Sequence, residues 1–309
     1  MKNVTLRQLR YFEALVRHRH FGRAAETSSV SQPALSVQIR ELETALGDTL
    51  FERGPRQVRL TAFGAQVADR VRAILRGVDA LGDLARTAGG GLTGPLRIGV
   101  IPTVAPYLLP RLIAALSEAY PDLEVEIRET ITPRLIEELA DGALDTAIVA
   151  LPVSEPSLAE TPLFEEPFVL VRPEGEVGDP VPDAAALATM RLLLLEEGHC
   201  FRDQALAFCE TRARTRHGLD GSSLATLVQM VGAGLGITLI PEMAVPVETR
   251  SAPVSIARLA DPPPSRTVGM VWRRSSPLGP ALGDLAGIVR DSAAQGPAFN
   301  GYRRPPRSA

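Results

Sequence analysis

Cysteine, tryptophan and histidine are scarce in this chain, which has two Cys, one Trp and four His among its 309 residues. Two cysteines cannot form the disulfide framework of a small secreted domain, and two thiols with four scattered histidines do not make a zinc site. No Gly-rich phosphate loop follows a strand with the required spacing. We therefore expect neither a metal nor a bound cofactor.

Long apolar runs are also absent. No stretch reaches the roughly 18 uninterrupted apolar residues of a membrane span, and residues 1–15 are typical of an amphipathic helix rather than of a secretory signal. We therefore expect a cytoplasmic protein without membrane contact, whose thiols are normally kept reduced. The content of 45% hydrophobic and 22% charged residues excludes a disordered or fibrous chain.

Charge is distributed unevenly along the chain. Residues 1–90 carry about 14 Lys and Arg against about 9 Asp and Glu, whereas the remainder has an excess of roughly eight acidic residues. A basic N-terminal segment joined to an acidic body is typical of a nucleic-acid-binding head on a soluble sensor, although chance asymmetry would look the same.

Three short helices are predicted near the N-terminus. Their ranges are 4–18, 21–28 and 32–46. Ser31 is a suitable N-cap for the third helix, Pro33 fits its first turn, and Gly47 ends it. Two helices joined by a tight turn are typical of a helix-turn-helix that enters the major groove, and an ordinary helical hairpin has the same spacing.

A basic hairpin and a long helix follow. Residues 50–61 form two short extended runs around Gly54-Pro55 with several arginines, as in a wing that grips phosphates. Residues 62–88 carry apolar side chains at alternating spacings of four and three: Val67, Val71, Ile74, Val78, Leu81 and Ala85. Such a seam predicts a partner helix, and therefore a dimer, although packing of the helix on its own domain would give the same spacing. A triple-glycine linker then completes a predicted linker segment at 62–91.

Strands and helices alternate from Pro95 onward, which predicts a parallel sheet with helices on both faces. The block at about 168–267 is inserted between two parts of an outer block, so we expect an effector domain of residues 95–300 with two subdomains. A cleft between such subdomains is a usual small-molecule site. Residues 301–309 form an Arg- and Pro-rich tail. The fold class is thus α/β, with a winged helix-turn-helix (1–61), a linker helix, and a two-subdomain effector domain.

Residues 21–64 resemble the LysR-type family of bacterial transcription regulators. The resemblance rests on the Ala-Ala pair, Ser-Gln-Pro, Leu-Glu, Leu-Phe-Glu-Arg and Leu-Thr-x-x-Gly, which together are nearly the whole family pattern. It implies an effector domain of periplasmic-binding-protein type, a homodimer or tetramer, and partners in double-stranded promoter DNA and RNA polymerase. The DNA-contacting residues that it implies are Ser31, Gln32, Pro33, Ser36, Val37, Arg53 and Arg56.

The effector half further resembles the hydrogen-peroxide-sensing members of that family, above all in the run His-Cys-x-Arg-Asp-Gln with a second cysteine nine residues later. This resemblance implies that peroxide oxidises Cys200, that Cys209 resolves the product as a disulfide, and that a cellular dithiol reductant restores the thiols. The peroxide pocket that it implies contains Thr103, Thr132, His199, Asp203 and Arg266. The regulator would control antioxidant genes and would not be an enzyme.

The spacing of the two cysteines also limits when they can form a disulfide. Cys200 begins an apparent helix, whose N-terminus stabilises a thiolate. If residues 200–209 are helical, nine steps of about 1.5 Å put the two Cα atoms roughly 13 Å apart, whereas a disulfide needs less than about 7 Å. Oxidation must then remodel the segment, with Gly198 as a hinge.

Other functions share some of these features. Both cysteines could be inert core residues, and a small organic effector could replace peroxide in the cleft; its response would survive mutation of both cysteines. A thiol peroxidase or a periplasmic solute-binding protein would also fit parts of the chain, but the predicted helix-turn-helix argues against both.

Overall fold

The computed structural model describes residues 4–52, 58–87, 92–176, 180–208, 220–259 and 262–295. Within these ranges it describes the backbone but not the side chains of residues 83, 85–87, 184, 185, 188 and 220. The chain divides into two compact units, Met1–Ala85 and Arg86–Ala309, and each is described by itself.

The N-terminal unit consists of helices around a small hairpin. Its elements are α1 (Leu6–His18), α2 (Phe21–Thr27), α3 (Gln32–Leu46), β1 (Phe51–Glu52), β2 (Arg59–Leu60) and α4 (Ala62–Thr87). The apolar stripes of α1 and α3 face one another in a core that includes Phe12, Leu15, Leu35, Ile39 and Leu42, all nearly inaccessible to solvent. The predicted helices, and the antiparallel hairpin after them, are therefore confirmed in kind.

Local chemistry explains where these helices begin and end. Thr5 and Gln8 form a capping box at the start of α1, each side chain bonding the backbone of the other residue. The Ser31 hydroxyl accepts a hydrogen bond from the backbone N–H of Ala34 at 3.3 Å. Gly47 ends α3 in the left-handed region at φ +87°, where glycine carries no steric penalty. Both predicted caps of α3 are confirmed.

The second unit is built from alternating strands and helices. Its elements are β3 (Gly94–Val100), α5 (Ala105–Ala119), β4 (Leu123–Glu129), α6 (Thr132–Ala140), β5 (Thr146–Leu151), β6 (Leu158–Pro173), α7 (Ala184–Thr189), β7 (Leu194–Leu195), α8 (Cys200–Phe208), β8 (Asp220–Gly221), α9 (Leu224–Gly232), β9 (Thr238–Pro241), α10 (Val245–Glu248), β10 (Val254–Arg258), β11 (Ser265–Arg273) and α11 (Gly279–Ala294), with 3₁₀ turns at Glu174–Glu176 and Glu242–Ala244.

Two hydrophobic cores divide this unit into two subdomains. The first core lies around β3, β5 and β11 with α5, α6 and α11, and the second lies around the end of β6 with β9, α8 and α9. A continuous path of strands in the order β10-β6-β11-β5-β3-β4 joins them. The two predicted subdomains are present, and the boundary between them is crossed by β6 and β11.

Strand β6 is the element that passes from one subdomain to the other. Residues up to Pro167 pair with β11, whereas Phe168–Pro173 pair with β9 and β10. The sequence predicted only the second half, because the first half contains acidic residues and two prolines. Pro162 is accommodated because the ladder to β11 shifts register beside it, at Val268 and Gly269.

The expectation of a parallel sheet is only partly correct. Within the described residues β3 pairs in parallel with β4 and β5, and β7 with β8, but the pairs of β11 and β6 are antiparallel. The reason is topological: the chain leaves the first subdomain along β6 and returns along β11, so these neighbours must run in opposite directions. The predicted strand at 192–198 is shorter than expected, because only Leu194 and Leu195 form β7.

No helix in the described ranges combines the length and the apolar character needed to cross a membrane.

Candidate functional site

Cys200 is the first residue of α8 and lies at the boundary of the two subdomains. Helix α8 belongs to the second subdomain through the buried Phe201 and Ala205, whereas the half-buried Cys200 packs against the core of the first. Gly198 has φ +94°, and a Cβ there would lie 2.8 Å from Cδ1 of Ile131. The turn before Cys200 therefore needs glycine, both for its backbone conformation and for its close approach to the first subdomain.

Arg266 is a buried cation next to this boundary. Its Nη1 donates to Oγ1 of Thr103 at 2.7 Å, and its Nη2 donates to the carbonyl of Thr103 at 3.0 Å. Its Nε donates to Oε2 of Glu166 at 2.8 Å, and Nη2 lies 2.7 Å from the same oxygen. The guanidinium also lies 5.6 Å from the ring centre of Phe201, the residue after Cys200. The structure thus brings Thr103 and Arg266 together beside the start of α8.

The hydrogen bonds of Arg266 leave two donors without acceptors among the residues that the structure describes. A guanidinium can only donate, so the Thr103 hydroxyl acts as acceptor and its own hydrogen remains to be donated. Nη1 carries two hydrogens, of which one is used by Thr103. Among the described residues neither the second Nη1 hydrogen nor the Thr103 hydrogen has a protein acceptor, although both side chains are almost completely buried. Buried donors of this kind are suited to a small polar molecule.

Two further buried acceptors lie on α6 and α8, the helices that carry Thr132 and Cys200. Oγ1 of Thr132, in the first turn of α6, and Oε1 of Gln204, one helical turn after Cys200, have no hydrogen-bond partner among the described residues. Residues four positions apart on a helix share a face. Gln204 was missed by the sequence analysis, although it belongs to the same His-Cys-x-Arg-Asp-Gln run and its spacing from Cys200 was a usable signal.

The other predicted pocket residues have different environments. Partial burial lowers the pKa of His199, while the nearby charge of Glu196 acts in the opposite direction. Asp203 is exposed to solvent on α8. The Arg202 guanidinium donates to the carbonyl of Leu195 at 2.6 Å, which ties α8 to β7. Because Asp203 is exposed, it does not belong to the cluster of buried donors and acceptors.

A second candidate surface lies on α3 of the N-terminal unit. Ser31, Gln32, Pro33 and Val37 are exposed and Ser36 is half-buried, so the face away from the core carries the predicted DNA-contacting side chains. The hydroxyl of Ser36 accepts from Nη2 of Arg40 at 3.2 Å. Its own hydrogen is therefore available to an acceptor outside the protein, as a base edge or phosphate provides.

The Gly54-Pro55 turn, the tail 301–309 and three of the predicted site residues lie outside the described residues. The three site residues are Arg53 and Arg56 of the predicted wing and Cys209.

Comparison with known families decides the relationship. The family "Bacterial regulatory helix-turn-helix protein, lysR family" matches residues 6–65, and the "LysR substrate binding domain" matches residues 89–294. The chain is 44% identical to the DNA-binding transcriptional dual regulator OxyR of Escherichia coli K12, over 93% of this chain and 95% of that protein. The chain belongs to the LysR family, in its OxyR branch.

Other relatives and solved structures agree. A probable hydrogen peroxide-inducible genes activator of Streptomyces viridosporus is 42% identical over 93% of this chain and 94% of its own length. A full-length cysteine variant of OxyR from Pseudomonas aeruginosa superposes with a TM-score of 0.75 at 38% identity, covering 94% of this chain and 96% of that one. A hydrogen-peroxide-bound cysteine variant of Corynebacterium glutamicum OxyR has a TM-score of 0.64 at 38% identity, covering 94% and 93%. The predicted fold class is confirmed.

Proposed function

We propose that this chain is a DNA-binding transcription regulator that senses hydrogen peroxide through Cys200 and Cys209 and controls antioxidant genes. The names of its OxyR relatives support this function. The observation that carries it is the position of Cys200, at the N-terminus of α8 and at a subdomain boundary whose elements carry buried donors and acceptors without a partner in the described part of the protein.

The first step is a displacement at an oxygen of peroxide. The Cys200 thiolate attacks one oxygen and the O–O bond breaks, so that sulfur becomes a sulfenic acid and the second oxygen leaves as hydroxide, which takes up a proton to form water. The hydrogens of Thr103 and Arg266 that have no acceptor in the described residues can be donated to peroxide oxygens, and the side-chain oxygens of Thr132 and Gln204 can accept hydrogen bonds from peroxide. The guanidinium stabilises the negative charge that develops on the leaving oxygen.

In the second step the sulfur of Cys209 attacks the sulfenic sulfur, an S–S bond forms and water leaves. Helix α8 opposes this step. Eight helical steps separate the Cα atoms of Cys200 and Phe208 by ~12 Å. Since neighbouring Cα atoms are ~3.8 Å apart, residue 209 cannot come within ~8 Å of Cys200 while α8 is intact, and a disulfide requires less than ~7 Å. Disulfide formation therefore requires α8 to unwind, and unwinding changes how the two subdomains pack.

The N-terminal unit would bind the promoter DNA. Helix α3 would enter the major groove of promoter DNA, with Ser31, Gln32, Pro33, Ser36 and Val37 on its outer face and Arg53 and Arg56 on the phosphates. The apolar residues Ile74, Leu81 and Leu84 of α4 are 49%, 67% and 54% exposed, which supports pairing with the α4 of a second copy. We further propose a tetramer through the effector domains, contact with RNA polymerase, reduction by a cellular dithiol reductant, and a cytoplasmic location.

A mass-spectrometric thiol count tests the redox chemistry. Reduced wild type, Cys200→Ser and Cys209→Ser would each be mixed with one equivalent of peroxide. We expect rapid loss of two hydrogens in wild type, a trapped sulfenic acid in Cys209→Ser and no reaction in Cys200→Ser. Slow and equal oxidation of both cysteines would reject the proposal and leave a LysR-family regulator that responds to another effector.

A further inference from the structure

Glu166 is a fully buried carboxylate at the point where β6 passes between the subdomains. Its residue is 1% exposed, and its partner across the strand pair is Arg266 of β11. Burial raises the pKa of Glu166, and the guanidinium of Arg266 acts in the opposite direction because it stabilises the carboxylate. Neither the composition nor the motifs of the sequence single this residue out.

Both oxygens of Glu166 are engaged. Oε2 accepts from Nε of Arg266 at 2.8 Å and lies 2.7 Å from Nη2, whereas Oε1 accepts from the backbone N–H of Met243 at 3.3 Å. Met243 belongs to the second subdomain's 3₁₀ turn, and Arg266 bonds Thr103 of the first subdomain. The carboxylate therefore holds the guanidinium in relation to both subdomains.

This arrangement determines which hydrogens of Arg266 remain available. With the Nε and Nη2 edge directed at Glu166, the Nη1 group is turned toward Thr103 and retains a hydrogen without an acceptor in the described residues. A planar guanidinium has its donors in a fixed fork, so fixing one edge fixes the direction of the others. Without the carboxylate, the cation would be free to rotate toward other acceptors.

We propose that Glu166 is a positioning residue for the reaction of Cys200 with peroxide, because it directs the free Nη1 hydrogen of Arg266 and the Thr103 hydroxyl at the peroxide oxygens. This inference rests on the proposed function. A purely structural ion pair would not discriminate between thiol reagents, because its loss would destabilise the fold and change the rates with both reagents alike.

The test compares two reagents on one thiol. Full-length protein carrying Cys209→Ser, with Glu166→Gln, Glu166→Asp or the matched control Glu165→Gln, would react with hydrogen peroxide and with iodoacetamide. Glu165 is the neighbouring carboxylate on β6 but is exposed, so its substitution changes charge without changing the buried cluster. Second-order rate constants would be measured by trapping the sulfenic acid and by the mass of the alkylated thiol, with folding followed by circular dichroism.

We expect Glu166→Gln to lower the peroxide rate constant at least tenfold and to leave the iodoacetamide rate constant within about twofold, because alkylation needs no donor to a leaving oxygen of peroxide. Glu166→Asp keeps the charge but withdraws the carboxylate by one C–C bond, so we expect an intermediate peroxide rate. Glu165→Gln should react like the parent.

Either of two results with Glu166→Gln would overturn the inference: a parental rate constant with peroxide, or an equal loss of rate with peroxide and iodoacetamide. If Glu166→Gln fails to fold, Glu166→Asp decides, because it leaves no uncompensated buried cation; a parental peroxide rate in that variant would also overturn the inference. If the Cys209→Ser parent itself reacts with peroxide no faster than a free thiol, the proposed function fails instead.

Discussion

The rate of disulfide formation should depend on the helix propensity of α8. Since Cys209 cannot reach Cys200 while α8 is intact, any change that favours unwinding should accelerate the second step and leave the first step unchanged. Position 203 is suitable for this test because its side chain is exposed and its backbone is helical, in the first turn of α8. Asp203→Ala and Asp203→Gly both remove the carboxylate, so they differ only in the backbone preference of the residue.

The magnitude follows from that preference. Glycine is about 0.8–1.0 kcal/mol less favourable than alanine in a helix interior, which is the upper bound for a residue in the first turn. If residue 203 is no longer helical when the S–S bond forms, this difference corresponds to a resolving step up to roughly four- to fivefold faster in Asp203→Gly than in Asp203→Ala. The ratio is independent of any role of the Asp203 carboxylate in peroxide binding, because both variants lack it.

Rapid-quench mass spectrometry can follow both steps. The sulfenic acid is a gain of one oxygen and the disulfide is a loss of two hydrogens, so each species can be counted against time. Ala114→Gly is the matched control, since Ala114 is exposed on α5, which carries no cysteine. Equal resolving rates in the two position-203 variants would refute the argument, as would an acceleration of similar size in Ala114→Gly.

Three further predictions concern other parts of the chain. Because the pKa of His199 is lowered, the folded protein binds fewer protons at this residue than the unfolded chain does. The free energy of unfolding should therefore fall as the pH decreases from the ordinary histidine range toward that lower pKa. His199→Asn should flatten this slope in denaturant titrations at a series of pH values. Tyr107 joins α5 to α10 across the two subdomains through a 2.6 Å hydrogen bond to Glu248, and its pKa is raised by burial and by this bond. A double-mutant cycle with Tyr107→Phe and Glu248→Ala should therefore give a coupling free energy of about 1–3 kcal/mol in chemical unfolding. A coupling near zero would contradict this prediction. Leu81→Glu should dissociate dimers in sedimentation equilibrium. Ala73→Glu is the control and should not, because Ala73 is exposed but lies outside the heptad seam. Unchanged association in both variants would exclude pairing through α4.

Much of the N-terminal unit can be predicted from local sequence. Its helices alternate apolar residues at three- and four-residue spacings, and Ser31 and Gly47 carry cap preferences that operate within one helical turn. The LysR motifs lie within one continuous segment, so they identify the family before any tertiary contact is known. The position of Cys200 at a helix start is a local property of the same kind.

The buried cluster is not local, and here sequence reasoning was incomplete. Arg266 is separated from Glu166 by 100 positions and from Thr103 by 163. The resemblance to peroxide sensors pointed to Thr103 and Arg266, but only the fold brings Glu166 between Arg266 and Met243. The first half of β6 was missed for a related reason, since its acidic residues and prolines have weak strand preferences and its pairing with β11 overrides them.

The sequence by itself therefore determined the family, the order of the main helices and strands, and the residues able to carry redox chemistry, because those properties depend on periodicity, caps and short motifs. Tertiary structure decided which of these residues meet. The crossing of β6 and β11 brings a buried ion pair to the subdomain boundary and leaves donors and acceptors without protein partners in the described residues. Cys200 begins α8 at the same boundary, and this position makes its thiol a candidate sensor.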